Sequence, residues 1–302
     1  MLRFTLRQLE YALAIAEQGT LAGAAQKLGV AQPSLSASLQ KLEQQLGLQL
    51  FIRHHAQGVT PSRQGVRFLN DARGLVAHAN DFQRDSNTAS VAPEGELTLG
   101  CYMTLAPVFA PRLLADFQSQ YPKARLRLME GSQDELVSGL RSGAFDLALL
   151  YKLDIPDDFK LTDLITMGPY VLLHAEHRLA KDKHVSLQDL ADDPLILLDV
   201  PPSRTYFTRV LEAQGIVPKI SFRSASLELV RGLVGQGLGY SLLVTRPHGD
   251  HAYDGKELVI RPIVEKVETS TIALASLKSL RPTRLTSTFV EFCASFFEKI
   301  QT

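Results

Sequence analysis

Residues 20–43 constrain the fold more than any other stretch, because they hold two short amphipathic helical patterns with a tight break between them. Thr20 has a hydroxyl placed to cap the first helix, and Gly29 supplies the left-handed residue that ends it. Pro33 falls in the opening turn of the second helix, where a missing N–H costs nothing. Leu35, Leu39, Leu42 and Leu46 recur at helical spacing and form one inward stripe. Ser34, Ser38 and Lys41 keep the same period on a neighbouring stripe, free to meet a partner. A small-residue helix, a tight turn and a polar-faced second helix are what laying one helix in a DNA major groove requires. Leu6, Leu9, Leu13 and Ala16 predict a further helix in front. Behind the stripe, residues 48–53 predict a strand, 54–58 a turn and Val59-Thr60 the return. That hairpin is a wing, and it places Arg53 to reach a phosphate or the minor groove.

At fixed offsets along this region stand Leu9, Ala14-Ile15-Ala16-Glu17-Gln18-Gly19-Thr20-Leu21, Ala24-Ala25 and Ala31-Gln32-Pro33-Ser34-Leu35-Ser36. They continue with Leu42-Glu43, Leu46-Gly47, Leu50-Phe51-Ile52-Arg53, Thr60-Pro61 and Gly65. In these positions the chain resembles the LysR-type transcriptional regulators, and the resemblance runs more loosely to the C-terminus. It implies a winged helix-turn-helix at residues 1–61, a linker and dimerisation helix at 62–88 and an effector-binding domain at 89–302. The effector domain would be a two-lobed α/β unit of periplasmic-binding-protein (type 2) type, with lobe I at 93–163 and 267–302 and lobe II at 164–266. The DNA-binding residues would be Thr20, Gln32, Pro33, Ser34, Ser36, Ser38, Lys41 and Arg53. Partners implied are operator DNA, a small effector, RNA polymerase and further copies of the chain, as a homodimer through the linker helices and a homotetramer. The chain departs from the family's usual residues at Ala22, Gly23 and Ala37, positions that face DNA.

With 302 residues, 45% hydrophobic and 21% charged, the chain can bury more than one core as an ordinary globular protein. Lys+Arg and Asp+Glu balance at 32 each, but residues 1–90 hold nine of the first and six of the second. The DNA-binding end is mildly basic, so its affinity depends on salt. Apolar runs such as 195–198 are far below the ~20 residues a bilayer demands. The N-terminus lacks a signal-peptide core, and two cysteines do not build a secreted disulfide fold. A cytoplasmic location without membrane contact is expected.

Phe68, Ala72, Leu75, Ala79 and Phe82 step by 4, 3, 4 and 3 on a predicted helix from residue 62 to about 87. A seam two heptads long is too short to stand alone, and a second copy is its simplest partner. Residues 86–95 are small and polar, a hinge. Beyond it strands predicted at 96–100, 125–129 and 146–150 alternate with helices at 105–119 and 133–141. A second set has strands at 170–173, 195–198, 220–222 and 239–243 and helices at 205–213 and 227–234. Two βαβ-type sets predict two parallel-rich lobes with a ligand cleft beyond the strand ends. By resemblance the chain crosses between lobes near 161–166 and 264–270, and 272–275 with a helix at 285–300 return to the first.

Tyr102, Met103 and Thr104 follow the first strand, Ser132 and Gln133 the second, and Tyr151 the third. Pro202, Ser203 and Arg204 follow a buried strand of the second lobe, and Ser226 precedes a helix there. These are the candidate effector contacts. A hydroxyl at a positive helix end suits a carboxylate, Arg204 offers bidentate pairing, and the tyrosines favour an aromatic or partly apolar organic acid. No cofactor or metal is expected: His248 and His251 read as a polar loop. Residues 235–239 lie between helix and strand, the reverse of a dinucleotide loop, and read as a tight turn. No nucleophile elbow, phosphate loop or zinc-protease motif is present, so the chain reads as a regulator rather than an enzyme. Two alternatives stand beside that reading. One is a redox sensor using Cys101 and Cys293; the other is an enzyme or solute-binding module with a DNA-binding appendage.

Overall fold

A computed structural model describes residues 3–54, 58–85 and 93–301. The N-terminal head packs α1 (Leu6–Gln18), α2 (Leu21–Leu28) and α3 (Gln32–Leu46) around Leu9, Ala12, Ile15, Ala24, Leu35, Leu39 and Leu42. Thr20 Oγ1 accepts from Gly23 N at 3.1 Å, Gly29 closes α2 at φ 64°, and Pro33 lies in the first turn of α3. A capping box on Thr5 and Gln8 starts α1. The wing pairs β1 (Phe51–His54) with β2 (Gly58–Pro61), Arg53 opposite Val59. Its turn residues 55–57 lie outside the described residues. Gly58, at φ 88°, lets β2 press on the α1–α2 turn, where Val59 N donates to Gly19 O at 2.8 Å. A Cβ there would overlap that carbonyl.

The linker helix α4 spans Arg63–Asp85; the end of its predicted range and residues 86–92 of the predicted hinge lie outside the described residues, and Gly95, placed in that hinge, already opens the next strand. Its heptad seam divides. Ala72 joins the head's core and Phe68 meets Phe4 edge-on at 6.4 Å, whereas Leu75 is 45% and Phe82 78% exposed. Part of the seam is therefore spent on its own chain, while Leu75 and Phe82 remain exposed.

The first lobe is one five-stranded sheet, with strands β3 (Gly95–Tyr102), β4 (Ala124–Gly131), β5 (Leu147–Tyr151), β6 (Phe159–Met167) and β12 (Ser270–Leu277). Their order is β4-β3-β5-β12-β6, with β3 parallel to β4 and β5, and β12 antiparallel to β5 and β6. Helices α5 (Ala106–Gln120), α6 (Gln133–Ser142) and α9 (Arg284–Gln301) pack on it. The expected return of 272–275 and the last helix to this lobe is observed. Because β6 stays paired with β12 through Met167, the first crossing falls at Gly168-Pro169, later than the resemblance implied.

The second lobe departs from a parallel-rich sheet. Its centre, β7 (Tyr170–His174), runs antiparallel to both β10 (Ser241–Leu243) and β11 (Leu258–Pro262). β8 (Pro194–Leu198) and β9 (Lys219–Ser224) form its one parallel strand pair among the described residues, beside isolated parallel bridges at Leu195–Tyr240 and Val185–Ile263. β8 then meets the chain ahead of β10 at Ile196 N to Tyr240 O, 2.8 Å. Helices α7 (Ser203–Glu212) and α8 (Leu227–Gly235) pack against these strands. An unbroken apolar strand signals burial on both faces and says nothing of direction, which is why the sequence pattern misled here. Gly237 and Gly239 form the tight turn after α8, both at positive φ.

Candidate functional site

The polar face of α3 is held outward by its own apolar stripe. Leu35, Leu39 and Leu42 are buried, so Gln32, Pro33, Ser34 and Lys41 are exposed and Ser36 and Ser38 half-buried. Glu43 ties the wing to this helix, its Oε1 accepting from Leu50 N at 2.7 Å and Phe51 N at 3.2 Å. Arg53 is exposed on β1. Among the described residues, the side chains of Gln32, Ser34, Ser36, Ser38, Lys41 and Arg53 make no hydrogen bond or ion pair within the chain. Thr20 differs, since its hydroxyl is engaged in capping α2.

The interlobe cleft is the opposite case. Its lining includes Thr104, Tyr151, Ser203, Tyr206, Thr245 and Ser270, and its free volume is about 10 Å³, the space of one water molecule. The hydroxyls bond one another or nearby carbonyls. Tyr151 shares its hydroxyl with Thr245 and Thr104. Tyr102 donates to Pro201 O at 3.0 Å and lies 3.4 Å from Ser203 Oγ, its ring edge-on to Tyr151 at 5.4 Å. Tyr206 donates to Glu268 O, and Tyr170 to Thr245 O at 3.1 Å. Burial pushes the phenols of Tyr102, Tyr151, Tyr170 and Tyr206 up, so all four stay neutral donors. Ser270 Oγ is buried without a partner.

Beside the cleft, and sharing Thr104 and Leu227 with it, an outer chamber of about 590 Å³ is bounded in part by Met103, Ser226, Arg231 and Tyr253. Ser226 Oγ caps α8, accepting from Leu229 N at 3.3 Å. The structure thus brings Thr104, Tyr151 and Ser203 together, sets Tyr102 behind them and places Met103 and Ser226 outside. Four candidates fall elsewhere. Ser132 and Glu135 are spent on the capping box of α6. Arg204, half-exposed, turns to Asp199 rather than to the cleft. Pro202 contributes the N-cap backbone of α7 and is absent from the lining. Gln133 is buried, but its Nε2 donates to Tyr151 O at 3.2 Å and Leu153 O at 2.5 Å, which fastens α6 to the end of β5. Thr245, Tyr206 and Ser270 escaped the sequence reading. Thr245 lies just past a strand, where the strand-end rule applies; Tyr206 looks like helix core, and Ser270 carries no local signal.

Cys101 and Cys293 are fully buried, and burial raises both thiols far above their ordinary range, so neither supplies a thiolate. Among the described residues no three His, Cys, Asp or Glu side chains are placed to hold a metal. No described helix is long and apolar enough to cross a membrane.

Residues 6–66 match the family described as bacterial regulatory helix-turn-helix protein, lysR family, and residues 91–298 match the LysR substrate binding domain. The chain belongs to the LysR family of transcriptional regulators. It is similar to HinK, a LysR family transcriptional regulator from Pseudomonas aeruginosa, at 42% identity and a TM-score of 0.69, covering 98% of this chain and 99% of that one. A full-length OxyR variant from the same species is 26% identical over 99% of this chain and 96% of its own, with a TM-score of 0.79. YybE of Bacillus subtilis (strain 168), an uncharacterized HTH-type transcriptional regulator, is 27% identical over 97% of this chain and 99% of its own. As a LysR regulator the chain is a DNA-binding protein with an effector-binding domain, not an enzyme.

Proposed function

We propose that this LysR regulator reads DNA with Gln32, Pro33, Ser34, Ser36, Ser38 and Lys41 in the major groove, with Thr20 framing the turn and Arg53 on the wing. The unpartnered polar face of α3 supports this reading. Paired copies, joined through the exposed part of the linker seam, place two heads on half-sites about 10 bp apart. Two such dimers form a tetramer that works on the chromosome in the cytoplasm and contacts RNA polymerase.

The effector is a small organic acid with an aromatic or partly apolar body, bound between the lobes by Thr104, Tyr151, Ser203 and Ser270. The observation that carries this is the lining itself: neutral hydroxyl donors beside aromatic rings, with one buried hydroxyl left unpaired. A carboxylate accepts several such donors at once. The inner pocket holds no more than a water, so an effector that reaches Ser270 exchanges the Tyr151–Thr245 contact for its own contacts and parts the lobes there.

The test is thermal unfolding of the full chain against a panel of aromatic and aliphatic acids. A ligand at 100 times its Kd adds about 2.7 kcal/mol, read as a melting rise of a few degrees. Loss of that rise on Thr104→Ala supports the site. A rise that survives the substitution, or a panel without any rise, sinks the acid assignment.

A further inference from the structure

A further unassigned feature beyond the interlobe cleft lies where the linker helix meets the first lobe. Asn70 Nδ2 donates to Arg141 O, and Arg73 donates to Asn70 Oδ1 at 3.1 Å. Gly143 makes this approach feasible, because a Cβ there would overlap the Arg73 guanidinium. Farther along α4, His78 Nε2 lies 3.1 Å from Arg281 O. Between these two contacts the surfaces stand apart and enclose a cavity of about 300 Å³, against about 10 Å³ in the cleft. That volume is at the lower bound of small-molecule pockets, roughly 300–1,000 Å³.

Its walls are of two kinds. Phe145, Leu274, Leu280 and Val290 supply apolar surface. The charged lining is unbalanced: Arg73, Lys160, Lys278 and Arg281 face Asp146 and Glu291 alone. Asp146 is already engaged, accepting from Thr98 N at 2.7 Å with Arg73 beside it. Lys160 and Arg281 are exposed and have no side-chain ion pair among the described residues. An apolar floor under a cation-rich rim, in which Lys160 and Arg281 lack an ion pair among the described residues, selects a molecule with an apolar body and an anionic end.

We propose that this junction is a second small-molecule site, distinct from the interlobe cleft, which takes an amphipathic organic anion. Its occupant touches α4 through Arg73, Gly74 and Ala77, and lobe I through β6, β12 and α9. It therefore fastens the helix that carries the DNA-binding head to the domain that carries the cleft. Through linkage, anything that binds only the docked arrangement biases the position of the heads.

The probe is 8-anilinonaphthalene-1-sulfonate, titrated into the full chain and followed by fluorescence. The expected result is saturable binding that weakens tenfold or more in the double variant Lys160→Glu, Arg281→Glu. Both positions are exposed, so the variant's melting temperature should match the parent's and certify its fold. Ala77→Phe, which fills the cavity from the helix side, should weaken the probe independently. Decanoate should displace it at least tenfold better than decanol. Binding unchanged by charge reversal and by Ala77→Phe overturns the proposal, as does equal displacement by the neutral alcohol. Probe binding lost on Thr104→Ala alone would place it in the cleft and also overturn the proposal. The anion assignment for the cleft is tested separately, by repeating the acid panel in the Lys160→Glu, Arg281→Glu background, where a melting rise does not come from the junction.

Discussion

The reading helix and the interlobe cleft use their polar side chains in opposite ways. On α3, Gln32, Ser34, Ser38 and Lys41 have no partner within the chain, and the apolar stripe behind them holds them outward. In the cleft, Tyr151 bonds both Thr245 and Thr104, and the inner pocket they line measures about 10 Å³. The first surface is ready for a partner and loses nothing by meeting one. The second must exchange internal hydrogen bonds, each contributing about 0.5–1.5 kcal/mol, for bonds to a ligand. DNA contact and effector contact are therefore different physical problems in this chain: addition to an open face, and substitution within a closed one.

The largest expected effect breaks the closed side. Tyr151→Ala removes a buried ring and strands two hydroxyls, and should cost about 3–5 kcal/mol in urea unfolding. A loss below about 1 kcal/mol would mean that the cleft is open in solution and that the contrast fails. On the open side, Lys41→Ala and Arg53→Ala should leave stability within about 0.5 kcal/mol of the parent. Each should nevertheless flatten the slope of log binding constant against log salt by about 0.9, measured by operator titration at several salt concentrations. An unchanged slope would remove that residue from the phosphate contacts. The smallest effect concerns the thiols. Because burial raises both, Cys101 and Cys293 should resist iodoacetamide in the folded chain and react once it is unfolded. Rapid labelling of the native protein, with a peroxide-dependent change in operator affinity, would restore the redox reading.

The head was legible almost residue by residue, since caps, helix period and turn chemistry are local. Thr20, Gly29 and the Leu35–Leu39–Leu42 stripe each act within a turn or two of themselves. The cleft was legible only where a strand end announces it. Thr104 and Tyr151 follow their strands directly, but Ser270 reaches the same space after the chain has crossed back between lobes. Arg204 and Ser132 show the limit of that rule. A strand end delivers a residue to the right region, and then a nearer partner, Asp199 or the α6 backbone, takes its side chain. The antiparallel setting of β7 was hidden for a related reason: burial writes an apolar run whichever way the neighbours point.

Local patterning thus determined the winged head, the linker helix, most strands and helices but neither β6 nor β11, and the family resemblance. Tertiary structure alone decided that the inner pocket of the cleft is shut, that part of the linker seam is spent on Phe4 and the head's core, and that a cavity separates α4 from the first lobe. The physical reason is range. Caps and periods act over a few residues, whereas a cavity or a shared hydroxyl depends on segments as distant as Tyr151 and Thr245, whose spacing only the packed chain sets.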